Sequence, residues 1–175
     1  LETAYDQALL AKESHVVSLA QAMLTLEVPY KSAQVMIKGL KAGVVEENGK
    51  NLSLLGDALM IAKEYEQAIK VMTQAAGFTE AGKDYYKLAQ IHTERQEWDL
   101  ALKNVIKAIT DESFKQEADA QVLKGLVLFN LDDLAEAKKA FLAAKLFEKT
   151  EKSADQWLVF ITGEETRREY MAQAQ

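Results

Sequence analysis

Residues 121–144 read QVLKGLVLFNLDDLAEAKKAFLAA, and the spacing within this stretch decides the fold. Two apolar stripes with helical periodicity flank a polar turn at 130–133. A small residue, Gly125, stands in the middle of the first stripe, and another, Ala137, stands early in the second. Two helices approach closely only where the side chains between them are small, and larger residues pack around that point. The stretch therefore predicts an antiparallel helix pair that crosses at Gly125 and Ala137.

The same template recurs along the chain. The central small residue and the second-helix alanine are 12 residues apart in three copies: Gly56 with Ala68, Ala89 with Ala101, and Gly125 with Ala137. A looser copy pairs Ala20 with Ala33, which predicts one extra residue around 28–30. The steps between the four second-helix alanines are 35, 33 and 36 residues. Such a period is typical of tandem helix pairs that bury their apolar faces against one another.

Composition excludes several classes of function. Two histidines and no cysteine in 175 residues exclude disulfides, thiolate metal sites and a histidine-rich metal centre. The formal net charge of −6 argues against general nucleic-acid binding, which needs a basic surface. No stretch approaches the roughly 20 apolar residues that span a bilayer. We therefore expect no cofactor, no nucleic-acid partner and no transmembrane segment.

The periodicity predicts an all-α fold of about ten helices. We expect a leading helix at 1–12, a degenerate repeat at 13–48, repeats at 49–81, 82–117 and 118–150, and a C-terminal capping helix with a tail at 151–175. Within the last segment, Ser153 and Gln156 have the spacing of a capping box, which predicts that a helix begins there. Trp157 and Ile161 of that helix are expected to cover the last apolar face, as the end of a repeat array requires.

Motifs that could carry catalysis are better explained by turns and core positions. Residues 43–51 approximate a phosphate-binding loop, but the spacing between the glycines and the residue after the lysine both differ from the motif, so a turn at Asn48 and Gly49 is the better interpretation. His92 occupies a core position and is expected to be buried and hydrogen-bonded, whereas His15 is expected to be exposed. The sequence indicates no catalytic, cofactor-binding or metal-binding residue and no enzyme. A helical domain that binds a small ligand or catalyses a reaction is the alternative.

The repeat template resembles that of the tetratricopeptide repeat (TPR) family over roughly residues 13–150. The proline usual near the end of such repeats is missing here. The resemblance implies a right-handed superhelical array whose first helices line a concave groove, and a scaffold that binds a segment of another protein in that groove.

Helical spacing within the template gives the residues that the first helices turn toward the groove. The predicted partner-binding residues are Leu54, Asp57, Tyr86, Lys87, Gln90, Val122, Leu126 and Phe129. Tyr86 is expected to point away from the core and to anchor the partner. The alternative for the last three is that the C-terminal helix covers them. Self-association of two grooves into a homodimer is a further alternative.

A second resemblance is narrower. The block DAQVLKGLVLFNLDDLAEA at 119–137 and SADQWLVFI at 153–161 are similar to the C-terminal part of bacterial TPR proteins that accompany TonB energy-transduction systems. The triplets LAQ at 88–90 and EWD at 97–99 match as well. This resemblance implies a longer periplasmic array that works with the TonB–ExbB–ExbD complex in iron-chelate uptake. Composition alone is equally compatible with a cytoplasmic location.

Overall fold

A computed structural model describes residues 12–173 of the chain. The helices in this part are α1 (Glu13–Thr25), α2 (Pro29–Lys41), α3 (Gly49–Ile61), α4 (Tyr65–Thr79), α5 (Gly82–Glu94), α6 (Trp98–Thr110), α7 (Glu117–Asn130), α8 (Leu134–Lys145) and α9 (Glu148–Gln173). Residues 12–173 contain no strand, which confirms the all-α prediction. The leading helix expected at 1–12 falls almost wholly outside the described residues.

The described helices belong to two compact units. Helices α1 to α4 lie in Leu1–Glu80, and α5 to α9 lie in Ala81–Gln175. Within the units the helices pack in antiparallel pairs, α1 on α2, α3 on α4, α5 on α6 and α7 on α8, and α9 then packs on α8. We call the odd-numbered members of these four pairs first helices and the even-numbered members second helices.

All four pairs turn in the same way. A residue with positive φ lies two positions before each second helix, and these residues are Glu27, Lys63, Gln96 and Asp132. In every pair the following residue donates its backbone N–H to a carbonyl five residues back in the first helix, as Glu97 does to His92 at 2.8 Å. This hydrogen bond closes a Schellman motif. Since none of the four residues is glycine, each turn holds a left-handed conformation that a Cβ atom disfavours.

The helix crossings are buried where the sequence predicts them. The second-helix alanines are fully buried, namely Ala68, Ala101 and Ala137. The nearest side chain to each central glycine, however, is the large residue one turn further along the second helix. A Cβ atom on Gly56 would lie 2.5 Å from Met72, and one on Gly125 would lie 2.7 Å from the ring of Phe141. Each glycine thus makes room for a bulky core residue.

The first helix pair contains no extra residue, which corrects the sequence-based register. α2 begins at Pro29, so Ser32, and not Ala33, stands at the position that alanine holds in the other pairs. Ser32 is fully buried, and its hydroxyl donates a hydrogen bond to the carbonyl oxygen of Ala20 at 2.8 Å. This bond satisfies the hydroxyl, so serine can replace alanine at the crossing. The distance from Ala20 to Ser32 is then 12 residues, as in the other three pairs.

The last helix begins before the position that the sequence indicated. α9 starts at Glu148, so Ser153 and Gln156 lie inside the helix and do not form a capping box. The hydroxyl of Thr150 donates a hydrogen bond to the carbonyl oxygen of Ala144 at 2.6 Å. This bond joins the first turn of α9 to the end of α8.

The apolar face of α9 packs on α8. The ring of Trp157 stacks on that of Phe141, with 5.3 Å between their centroids and an angle of 4° between their planes. Ala154 and Ile161 are fully buried in the same cluster as Phe141. α9 therefore covers the apolar side of the last helix pair.

Candidate protein-binding surface

The eight predicted partner-binding residues divide between the two units. Leu54 and Asp57 lie half-buried on α3 of the first unit. The other six lie on α5 and α7 of the second unit. The second unit, which holds most of them, is the one in which neighbouring first helices can be followed.

Tyr86 of α5 is buried, which corrects the expectation that it points away from the core. Its side chain is only 8% exposed, and its ring lies 5.5 Å from that of Phe114. Burial, followed by the negative charge of Asp119, raises the pKa of Tyr86 above its usual value, against a smaller opposing effect of a hydrogen bond with Gln90. Helix spacing could not reveal this burial, because Phe114 belongs to the loop between α6 and α7.

The remaining predicted residues of α5 are polar and half-buried. Gln90 lies one turn after Tyr86 and shares the hydrogen bond with its hydroxyl. Lys87 is half-buried as well. With Tyr86 in the core, these two side chains are the ones that α5 offers to a partner.

α7 offers an apolar stripe. Val122, Leu126 and Phe129 follow one another at intervals of three or four residues, and all three are half-buried. The ring of Phe129 lies 5.6 Å from that of Trp157 and 5.5 Å from that of Phe160. α9 therefore covers part of Phe129, as the alternative interpretation anticipated, yet every member of the stripe keeps some accessible surface.

The stripe of α7 is held next to α5 and α9 by contacts on both sides. Leu123 of α7 packs against the cluster that contains Tyr86 and Ala89 of α5. On the other side, the Lys149 ammonium lies 2.6 Å from the carboxylate of Asp119. α5, α7 and α9 thus lie side by side in one row in the second unit.

The end of α9 is fixed to the turn between α7 and α8 by ion pairs. The guanidinium of Arg168 contacts Asp132 of this turn, and Lys138 of α8 lies 2.6 Å from Glu165. The Arg168 guanidinium lowers the pKa of the Asp132 carboxyl through a hydrogen bond and its charge. These pairs are exposed, so each adds little stability, but together they define where the second half of α9 lies.

His92 is buried and hydrogen-bonded, which confirms the sequence prediction. It is 6% exposed, and its Nδ1 lies 2.6 Å from a carboxylate oxygen of Glu97. An ionised carboxylate can only accept a hydrogen bond, so Nδ1 carries the proton. The hydrogen bonds from His92 and then Arg95 hold the pKa of Glu97 below its usual value. The pair closes the turn between α5 and α6 and faces no cavity, so it has a structural role.

The segment that approximated a phosphate loop forms a helix start. The side chain of Asn48 accepts a hydrogen bond from the backbone N–H of Asn51 at 3.0 Å and so caps α3. Within residues 12–173 no group of three His, Asp or Glu side chains could hold a metal ion. No helix in this part of the chain is long and apolar enough to cross a membrane.

Several solved structures share this arrangement of helices. The 41-to-end fragment of MamA from Desulfovibrio magneticus RS-1 superposes with a TM-score of 0.78 at 17% identity, covering 92% of this chain and 89% of that chain. PilF of Pseudomonas aeruginosa gives a TM-score of 0.74 at 15% identity, with coverages of 91% and 70%. YrrB, described as a TPR protein with an unusual peptide-binding site, gives 0.74 at 16% identity, with coverages of 95% and 84%. The chain has the TPR fold.

The likeness concerns the TPR fold alone. No protein-family model and no curated protein matches the sequence. Binding residues of the TPR proteins above are therefore not transferred to this chain, and the candidate surface rests on its own geometry.

Some members of this TPR surface were not apparent in the sequence. Phe114 covers Tyr86, and Phe160 adjoins Phe129, but neither belongs to the repeat template. A local signal existed for the loop that carries Phe114. The side chain of Asp111 accepts hydrogen bonds from the backbone N–H groups of Gly82, at 2.7 Å, and Ser113, at 2.9 Å. An Asp two residues before a Ser is a common turn pattern, and here it orders the loop.

Proposed function

We propose that the chain is a non-catalytic scaffold that binds a segment of another protein along the row formed by α5, α7 and α9. The observation that carries this proposal is the stripe of Val122, Leu126 and Phe129. Apolar side chains that recur once per helical turn and stay accessible suit an amphipathic helix or an extended apolar segment. Accessible apolar patches on folded proteins often mark interaction sites.

The polar side chains of α5 give this surface a direction. Lys87 and Gln90 lie half-buried on the helix next to the apolar stripe. A charged group at the rim of an interface contributes more to orientation and association rate than to affinity. We therefore assign the apolar contacts to α7 and the orientation of the partner to α5.

A binding titration with variants tests the surface. Leu126→Ala should weaken binding of a partner recovered by affinity capture by roughly tenfold, which corresponds to about 1.4 kcal/mol. Lys70→Ala and Lys103→Ala, on exposed positions of second helices, are the controls and should bind as the wild type does. Normal binding by Leu126→Ala together with weakened binding by the controls would place the working surface on the second helices instead. Self-association that Leu126→Ala abolishes would identify a second copy of the chain as the partner.

We propose further that the partner is a component of a TonB system and that the protein acts in the periplasm. The support for this step is the sequence resemblance at 119–137 and 153–161. Titration of purified periplasmic domains of TonB and ExbD against the chain tests it directly. Absence of binding by both domains, with a correctly folded chain, would refute this assignment and leave the scaffold proposal standing.

A further inference from the structure

α9 repeats the positional pattern of the first helices. Its fully buried small residue is Ala154, which lies in the same kind of position as Gly125 of α7. Counted from this residue, the positions −3 and +1 hold Glu151 and Asp155. The same two positions hold Val122 and Leu126 in α7. Since α9 lies beside α7 in the row, its −3 and +1 positions extend the stripe of α7 by one helix.

This extension is open to solvent. Glu151 and Lys152 are exposed, and Val159, one turn after Asp155, is 74% exposed. The face borders a surface hollow of about 610 Å³, and the described residues that line it are Glu148, Glu151, Lys152, Asp155, Gln156 and Val159. We call these six residues the acidic face of α9. Its size is that of a site that accepts several side chains of a ligand.

The acidic face has more carboxylates than cations to neutralise them. Asp155 is paired with Lys145, at 2.6 Å. Glu148 and Glu151 form no ion pair with any cation within residues 12–173. Lys152 is the single cation among the six residues of the face. The face therefore presents an excess of negative charge beside the exposed apolar side chain of Val159.

The acidic face adjoins the apolar stripe without an intervening helix. The ion pair between Lys149 and Asp119 joins the first turns of α9 and α7. Two turns further along α9, the ring of Trp157 contacts that of Phe129. A segment that lies on the stripe of α7 thus reaches the carboxylates of α9 within the width of one helix, roughly 10 Å.

We propose that the acidic face of α9 is part of the binding surface and receives Lys or Arg side chains of a partner protein segment, whose large apolar side chains lie on the stripe of α7. The proposal rests on the scaffold function proposed above and specifies the chemistry of the partner. Opposite charges attract from a distance and fix the register of a bound segment. An acidic or purely apolar segment would leave the charges of Glu148 and Glu151 without counter-charges, which disfavours its binding.

Selection from a random peptide library tests the inference before any natural partner is identified. Phage-displayed 12-residue peptides are selected against the wild-type chain, the Glu151→Lys variant and the Glu112→Lys variant. Glu112 is exposed in the loop between α6 and α7, and both substitutions change the net charge by the same amount. Wild type and Glu112→Lys should enrich peptides with Lys or Arg next to large apolar residues. A synthetic copy of an enriched peptide should bind Glu151→Lys about tenfold more weakly than Glu112→Lys, and added salt should reduce this ratio.

The outcomes separate the two proposals. Enriched peptides that lack basic residues, or that bind Glu151→Lys and Glu112→Lys equally, would overturn the role of the acidic face and leave the scaffold proposal intact. Failure of every target to enrich any sequence would overturn both. Circular dichroism and the melting temperature confirm that each variant is folded, and Glu151→Gln, which should show a smaller loss of the same peptide, serves if the lysine variant is unstable.

Discussion

Phe141 occupies the space that the missing side chain of Gly125 leaves open. Three ring atoms of Phe141 would lie 2.7 to 2.8 Å from a Cβ atom on residue 125, which is closer than real Cβ atoms approach a neighbour. Trp157 stacks on the opposite side of the same ring. A rigid aromatic ring held between a helix backbone and an indole has no room to move aside.

Gly125→Ala should therefore destabilise the protein although alanine favours helix formation. The gain in helix propensity is about 1 kcal/mol, and the overpacking cost is about 1–3 kcal/mol, so we expect a net loss. Gly56→Ala is the matched comparison, because its added methyl group would meet Met72, an unbranched and adaptable side chain. Urea unfolding followed by circular dichroism should rank Gly125→Ala as the less stable variant. An equal loss in both would show that the adaptability of the facing side chain does not matter here.

Tyr86→Ala should reduce stability and not only binding. The buried ring packs against Phe114, and removing a large buried aromatic side chain costs about 3–5 kcal/mol. Tyr86→Phe keeps the ring and loses only the hydrogen bond with Gln90, which is worth about 1 kcal/mol. Denaturant midpoints of the two variants measure the difference. A wild-type midpoint for Tyr86→Ala would mean that the ring contributes nothing to the core.

Gln96→Gly should stabilise the protein. Residue 96 has a φ of 58°, a left-handed conformation that glycine adopts without the steric cost of a Cβ atom. Its relief should add roughly 0.5–1 kcal/mol, reduced in part by the greater freedom of glycine in the unfolded chain. Gln96→Ala, which keeps the Cβ atom, is the control and should bring no gain. Thermal unfolding of the three proteins tests this expectation, and a higher melting temperature for the alanine variant than for the glycine variant would contradict it.

The contribution of Glu97 to stability should depend on pH. Hydrogen bonds from His92 and Arg95 lower the pKa of Glu97 in the folded state below its ordinary value of 4.5. A carboxyl whose pKa is lowered by folding stabilises the folded state above its unfolded pKa, and this stabilisation is lost as the pH falls through the folded pKa. The difference in unfolding free energy between wild type and Glu97→Gln should thus be full at neutral pH and shrink below about pH 4.5. Glu94→Gln, at an exposed position of the same turn, provides the control, and a difference for Glu97→Gln that stays constant down to pH 3 would rule the effect out.

The helix pairs could be predicted from the sequence because their crossings depend on local spacing. A glycine or alanine followed 12 residues later by another small residue defines two helices and the point where they meet, and three pairs follow this rule with alanine. The role of Ser32 could not be predicted in this way, because it depends on the Ala20 carbonyl oxygen, which accepts from its hydroxyl. The start of α9 escaped prediction for a related reason, since Thr150 bonds to Ala144 across the preceding turn.

The surface was harder to predict than the fold. Helical spacing placed Val122, Leu126 and Phe129 on one accessible stripe, because side-chain direction in a helix follows from position alone. The burial of Tyr86 depends on Phe114, which approaches from a loop, and no helical period describes a loop. The partial cover of Phe129 depends in turn on Trp157 and Phe160, whose position follows from the packing of α9 on α8.

The matched sizes at the crossings also affect how the chain reaches its native state. The facing pairs are Gly56 with Met72 and Gly125 with Phe141, and Ala89 shares a core cluster with Val105. If α5 paired with α8 during folding, the methyl group of Ala89 would collide with Phe141; if α7 took the place of α5 on α6, an empty space would remain beside Val105. Tandem repeats of similar sequence are prone to misassembly and swapping of helices between neighbours. Differences in side-chain volume, with no polar contact involved, thus raise the energy of the wrong pairings and select the right one.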